Sequence, residues 1–137
     1  MYGGQHTKDT QDLALLLEHE ALWTVLDASP CTKPNAFLTY HDIPWPPFDD
    51  FKQYITLMAE IVQQNGEKSR IQDRNALRKA YAKACLRWHP DKFQHRLGKG
   101  IEVEDLPSIM EKVQEIAQGI NRAWSELKHH SFVMMQH

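Results

Sequence analysis

One stretch decides the fold: Ala76-Leu-Arg-Lys-Ala-Tyr-Ala-Lys-Ala-Cys-Leu-Arg-Trp-His-Pro-Asp-Lys92. Apolar residues recur in it at helical spacing, and basic residues lie on or beside the opposite face, so it predicts a helix with one buried stripe and one positive, solvated side. Proline cannot continue a helix, so Pro90 ends this one at about Trp88 or His89 and places His89 and Asp91 on a turn. The apolar positions are Leu77, Ala80, Tyr81, Ala84 and Trp88, and the basic ones are Arg78, Lys79, Lys83 and Arg87.

Two blocks of the chain resemble the J domain of DnaJ-type co-chaperones. The run from Arg78 to Lys92 is similar to the second helix and loop of that domain, including its His-Pro-Asp motif. Downstream, Ile120-Asn-Arg-Ala-Trp-Ser-Glu-Leu127 resembles the end of the third helix. The resemblance covers residues 70–128. It implies an all-α, J-domain-like helical bundle, in which the His-Pro-Asp loop connects an antiparallel pair of helices.

The resemblance also implies a partner. J domains bind the ATPase domain and interdomain linker of a DnaK-class heat-shock chaperone and stimulate its ATP hydrolysis. We expect Asp91 to accept a charge-assisted bond from an arginine of that chaperone, and His89 to hold the turn through a ring hydrogen bond. The chain itself is then neither an enzyme nor in need of a cofactor, because the chemistry belongs to the partner's ATP site. The implied chaperone-binding residues are His89, Pro90, Asp91, Arg78, Tyr81, Lys83, Arg87 and Lys92.

Length and composition predict a single domain. With 137 residues, 42% of them hydrophobic, the chain is large enough to bury a core without metals or cross-links. Its net charge of −2 argues against a globally basic nucleic-acid binder, although nucleic acid stays open as a less favoured partner. Without a long apolar run or a signal-peptide pattern, we expect no membrane association and an intracellular protein, cytoplasmic or nuclear. Cys31 and Cys85 lack CxxC spacing.

The first 40 residues are predicted to be an N-terminal helical extension, with a helix over 10–28 that Ser29-Pro30 ends. Residues 30–48 carry five prolines, and a strap over 41–48 follows the extension. We expect Ile43 and Trp45 to pin this strap onto the helices; the alternative is an exposed polyproline-II ligand.

The strap narrows the resemblance. Tyr40-His-Asp-Ile-Pro-Trp-Pro-Pro47, ahead of the Trp-His-Pro-Asp helix, is similar to the C-terminal region of NF-kappa-B-inhibitor-like proteins. This resemblance permits a second hypothesis of a different class. In it the bundle is a degenerate J-like scaffold or adaptor in a nuclear assembly, related to RNA processing or transcription. The basic helix would then contact RNA or an acidic protein.

The rest of the predicted J-like domain, 41–130, has helices at about 49–65, 72–88 and 106–128, with a glycine-bearing basic loop before the last helix and a tail over 131–137. Gly119 lies inside the last helix, where we expect close approach to the central helix to require it. The predicted core contains Leu77, Trp88, Val113, Ile120, Trp124 and Trp45.

The sequence gives little support to metal binding or to catalysis. His129, His130 and His137 are predicted to lie on a solvated tail rather than to bind a metal, because no Cys, Asp or Glu stands among them at ligand spacing. The chain has no Gly-x-Ser-x-Gly motif and no phosphate-binding loop. The sequence therefore predicts no catalytic residues and no metal site.

Overall fold

The computed structural model describes residues 2–28, 37–66 and 74–135, and the side chains of 10–28, 37–62 and 74–129 within them. These residues form an all-helical bundle, which confirms the predicted all-α class. Cys31 lies outside the described residues. The α-helices are α1 (Tyr2–Ala28), α2 (Phe51–Gly66), α3 (Arg74–Trp88), α4 (Pro90–Leu97) and α5 (Leu106–Met135), and short 3-10 helices span Tyr40–Asp42 and Gly98–Gly100.

The centre of the bundle is α3, which packs against α2 on one side and α5 on the other. Tyr81, in the middle of α3, contacts Asn121 and Trp124, whereas Arg74 at its start shares a groove with Lys128. Early residues of α3 therefore meet late residues of α5, so the two helices are antiparallel. Of the predicted core residues, Trp88, Val113 and Ile120 are fully buried, and Leu77, Trp124 and Trp45 are partly buried and packed against the core.

Asp50 caps α2. Its carboxylate Oδ1 accepts a hydrogen bond from the backbone N–H of Lys52 at 2.9 Å, and its carbonyl accepts one from the N–H of Tyr54 at 3.1 Å. The bond to Lys52 satisfies an amide that the first turn of a helix leaves without a partner, and the bond from Tyr54 is the first intrahelical one. The helix then buries Tyr54, Ile55 and Met58 against the core.

Gly119 of α5 faces α2, so the expectation that it faces the central helix was wrong. A Cβ atom at this position would lie 2.5 Å from Cε2 and 2.6 Å from Cδ2 of Phe51. Real Cβ contacts are not that short, so any larger residue would displace the Phe51 ring. The glycine therefore gives α2 and α5 their close approach.

The predicted loop after Lys92 is largely helical. Pro90 opens α4, because its fixed φ angle suits the first position of a helix. Phe93 and Leu97, four residues apart, are both buried and hold one face of α4 on the core. The glycines that indicated a loop, Gly98 and Gly100, instead belong to a 3-10 turn after α4.

Both terminal helices are longer than predicted. The first begins at Tyr2 rather than near residue 10, because Asp9 and Thr10 are weak helix formers but do not break a helix. The last continues from Lys128 to Met135, so residues 131–135 of the expected tail are helical; 136–137 lie outside the described residues.

The strap lies on the helices, as the tryptophan flanked by prolines predicted. Ile43 is buried, and the ring of Trp45 stacks on that of Trp88 with centroids 5.8 Å apart. The indole N–H of Trp45 donates to the carbonyl of Tyr40 at 2.9 Å, and the Tyr40 amide donates to Asp105 at the start of α5, also at 2.9 Å. These contacts argue against the alternative of an exposed polyproline-II ligand.

Candidate docking site

The His-Pro-Asp motif forms an exposed corner between α3 and α4. His89 has extended backbone angles (φ −64°, ψ 121°), and its carbonyl accepts a hydrogen bond from the Phe93 amide at 2.8 Å. Asp91 stands in the first turn of α4, where the helix dipole favours a carboxylate. The side chains of His89, Asp91 and Lys92 are exposed, and Pro90 is half-buried. This arrangement presents a carboxylate on a turn that proline stiffens.

The ring of His89 does not hold the turn, so that expectation was wrong. The cap of α4 involves no side-chain hydrogen bond from His89. The backbone alone closes the turn, through the carbonyl of His89 and the fixed φ angle of Pro90. The imidazole is therefore left at the surface.

An aromatic cluster supports the corner from below. Trp88 is fully buried and stacks on Phe93 of α4, with ring centroids 6.1 Å apart. Trp23 of α1 meets Trp88 edge to face at 5.3 Å, and its indole N–H donates to the Pro44 carbonyl of the strap at 2.8 Å. Such aromatic pairs add to the free energy of area burial by about 0.5–1.5 kcal/mol each. The position of the corner is thus fixed by α1, α3, α4 and the strap together.

Acidic residues of α1 form ion pairs with cations of the carboxyl half of α3 and of α4. Glu20 forms a bidentate pair with the guanidinium of Arg87, and its Oε1 lies 3.0 Å from Nζ of Lys83. Burial would raise the pKa of Glu20, but hydrogen bonds and charge from Arg87 and Lys83 outweigh burial and lower it. Asp27, two turns further along α1, pairs with Arg96 of α4 at 3.0 Å. Part of the basic surface is therefore neutralised inside the molecule.

A buried hydrogen-bond chain joins three helices beneath the corner. The indole N–H of Trp88 donates to the Tyr54 hydroxyl at 3.2 Å, and that hydroxyl forms a second hydrogen bond with Nε2 of His19 at 2.9 Å. The surroundings of His19 favour its neutral form. Burial, followed by the charge of Arg87, lowers its pKa from 6.5 to about 4, against a smaller raising effect of Glu20.

The predicted binding residues divide into three groups. His89, Pro90, Asp91 and Lys92 lie together at the corner. The second group lies earlier in α3: Arg78 is exposed, and Tyr81 stacks on Trp124 of α5 with ring centroids 4.7 Å apart. The third group, Lys83 and Arg87, faces Glu20.

Arg87 corrects the prediction of a uniformly solvated basic face. Its side chain is 8% exposed, because Glu20 covers the guanidinium and Trp23 lies against it, with Cζ 5.1 Å from the ring centroid. An arginine can be buried when its charge is paired and its donors are bonded. The exposed positive surface of α3 is consequently smaller than its sequence indicates.

Sequence reasoning did not identify the residues of α1 that cover α3 and α4. Glu20, Trp23 and Asp27 recur at spacings of three and four, which is the signal that could have found them. Polar residues on an apolar helix face indicate a partner for their charges. The sequence alone does not say which cations provide it.

Metal binding and membrane-spanning helices can be examined in the part of the chain that the structure describes. Within it, no group of three or more His, Cys, Asp or Glu residues is placed to hold a metal ion. The side chains of His130 and His137 lie outside the described residues. None of the helices in the described ranges combines the length and the apolar character that crossing a membrane requires.

Comparison with known proteins identifies the family. The family model of the NF-kappa-B inhibitor-like protein 1 C-terminal domain matches residues 56–128, which is more than half of the 137 residues. No solved structure matches the chain. The matched region starts within α2, contains α3, the His-Pro-Asp corner and α4, and ends within α5 at Lys128. The chain belongs to the family defined by the C-terminal domain of NF-kappa-B inhibitor-like protein 1.

Proposed function

We propose that this chain is a co-chaperone of the J-domain kind, which binds a DnaK-class heat-shock chaperone through its His-Pro-Asp corner and stimulates ATP hydrolysis by that chaperone. The observation that carries the proposal is the state of Asp91. Its side chain is exposed on a proline-stiffened turn, and within the described residues no hydrogen bond or ion pair engages its carboxylate. It is available to an arginine of a partner.

The energetics suit a docking role. A charge-assisted hydrogen bond from a partner's arginine to Asp91 would contribute about 1.5–3 kcal/mol. Exposed Lys92 stands beside it, and exposed Leu86 adds apolar surface on the α3 side of the same corner. The cations Arg78 and Lys83 would steer the encounter more than they add affinity, so binding should weaken as salt increases.

A single-turnover assay of ATP hydrolysis by a DnaK-class chaperone tests the proposal. We expect wild-type protein to stimulate hydrolysis, and Asp91→Asn and His89→Gln to abolish stimulation without changing the helical content seen by circular dichroism. Glu104→Gln is the matched control, because Glu104 is an exposed acid outside the His-Pro-Asp motif and does not line the surface around Asp91, and it should stimulate like wild type. If Asp91→Asn stimulates fully, the corner is not the docking element.

One observation favours a second candidate, in which the bundle is an adaptor that no longer acts on a chaperone. Arg87, which the J-domain resemblance places on the binding face, is buried against Glu20 and Trp23. In this candidate the bundle joins a nuclear assembly, of the RNA-processing or transcription-related kind, and its remaining cations contact RNA or an acidic protein. A folded wild-type protein that gives no stimulation of ATP hydrolysis would favour the adaptor. RNA binding measured across salt concentrations would then show whether its cations contact RNA or an acidic protein.

A further inference from the structure

A groove opens between the amino half of α3 and the carboxyl half of α5. Its volume is about 730 Å³, and its apolar floor consists of Leu77, Tyr81 and Trp124. Leu77 precedes His89 by twelve residues, which is roughly 18 Å along the helix axis, so the groove is separate from the His-Pro-Asp corner. A groove of this size admits one or two bulky side chains of a ligand.

The floor of the groove is held in place before any ligand binds. The rings of Tyr81 and Trp124 are parallel within 10° and 4.7 Å apart. The Tyr81 hydroxyl donates to Oδ1 of Asn121 at 2.8 Å, which fixes the ring at its outer end. Such preorganised aromatic surface loses little conformational entropy when a partner binds.

The rim of the groove is positive. Arg74, Arg78 and Lys128 line it, and none of the lining residues that the structure describes is acidic. In contrast to Lys83 and Arg87, these three cations take part in no ion pair with another described residue. A cluster of like charges that has no ion-pair partner among the described side chains favours an anionic ligand.

We infer that this groove binds an acidic peptide segment of a partner protein, in which Asp or Glu residues flank a bulky apolar side chain. The apolar side chain would lie on Leu77, Tyr81 and Trp124, while the acidic residues would meet the cations of the rim. Specificity requires both features, because the rings alone would accept any apolar segment and the cations alone would accept any anion.

An acidic peptide fits the groove better than single-stranded RNA does. Proteins that bind RNA strands offer ring faces on which bases stack, along a channel that follows the backbone. Here the rings of Tyr81 and Trp124 cover one face of each other, and the cations surround a single groove.

Fluorescence anisotropy with a labelled synthetic peptide tests the inference. The probe is a short peptide in which Asp and Glu surround a central Phe and Leu, measured with the full chain. We expect Lys128→Glu and Arg74→Glu each to weaken binding about tenfold, because reversal turns attraction into repulsion. Both side chains are exposed, so the variants should fold; Lys99→Glu, an exposed cation outside the groove, should bind like wild type.

Two further probes examine the chemistry of the ligand. Replacing the Phe and Leu of the peptide by Ala, or its acids by Asn and Gln, should each remove most of the binding. The inference fails if the wild-type chain does not bind the acidic peptide, if both groove variants bind like Lys99→Glu, or if a U-rich RNA strand binds more tightly. Asp91→Asn should leave peptide binding unchanged, so this result does not depend on the chaperone proposal.

Discussion

The two halves of α3 use the same kind of residue in opposite ways. In the amino half, Arg74 and Arg78 are exposed beside an open groove, without an ion-pair partner among the described residues. In the carboxyl half, Lys83 and Arg87 meet Glu20, and Arg87 is buried. The amino half is therefore available to another molecule, whereas much of the carboxyl half is already occupied by α1.

This difference teaches that α1 determines the exposed charge of the bundle. Along α3 itself both halves carry an arginine or lysine about once per turn. The packing of α1 on the carboxyl half distinguishes them, through one aromatic anchor, Trp23, and one carboxylate, Glu20. Substitutions in α1 should therefore change the carboxyl half of α3 and leave the amino half unaffected.

Trp23→Ala should have the largest effect. Trp23 is fully buried, meets Trp88 and Phe93 edge to face, and donates to the Pro44 carbonyl, so its loss opens a cavity and removes a hydrogen bond. We expect the free energy of unfolding, measured by urea titration, to fall by about 4 kcal/mol. Leu22→Ala is the control: Leu22 is 53% exposed and should cost less than about 1 kcal/mol. Equal effects would mean that α1 is not anchored by this tryptophan.

Glu20→Gln should have the next largest effect. It leaves the guanidinium of Arg87 buried without its carboxylate, which should lower the free energy of unfolding by about 3 kcal/mol. Adding Arg87→Met to this variant removes the uncompensated charge and should recover much of the lost free energy of unfolding. A Glu20→Gln variant as stable as wild type would show that Arg87 reaches solvent when its partner is removed.

The pH dependence of stability tests the hydrogen-bond chain beneath the corner. The pKa of His19 is about 4 in the folded state against 6.5 as its ordinary value. Between these values the unfolded chain binds a proton that the folded chain does not, so stability is complete above pH 6.5 and is lost as pH falls towards 4. From pH 7 to pH 5 this loss amounts to about 2 kcal/mol.

The measurement is a series of urea titrations from pH 7 to pH 5, on wild type and on His19→Gln. Glutamine does not titrate, so the variant should lose about 2 kcal/mol less over this range than wild type does. Parallel curves for the two proteins would assign the pH dependence to other groups and contradict a lowered pKa of His19.

Much of this arrangement could be predicted from local chemistry. The end of α3 follows from Pro90, and the docking of the strap from a tryptophan between prolines, since each depends on residues that are neighbours in sequence. The short helix α4 was missed although Pro90 at its start and Phe93 and Leu97 at helical spacing indicated it. Gly98 and Gly100 favoured a loop instead.

The covering of α3 by α1 could not be predicted in the same way. Glu20 and Arg87 are 67 residues apart, and nothing local to either residue specifies the other. On α3 alone, Arg87 follows Ala84 by three residues and Ala80 by seven, so helical spacing places it on the buried face but does not identify the carboxylate that pairs with it. Its ion pair depends on which face of α1 packs there, which is a property of the assembled bundle. Charges placed by tertiary packing are thus the part of a docking surface that a sequence pattern misjudges.

Asp27→Asn should have the smallest effect, and it completes the comparison because it alters the same helix as Glu20→Gln. The pair of Asp27 and Arg96 has side chains 44% and 37% exposed, so water screens their attraction and already hydrates both charges. Removing the carboxylate should cost less than about 1 kcal/mol in urea titration, and 1 M salt should erase the difference from wild type. Arg96 also donates to the Arg87 carbonyl at 3.2 Å, which keeps it on the end of α3 without Asp27. If Asp27→Asn destabilised the bundle as much as Glu20→Gln, burial would not be what separates the two ion pairs.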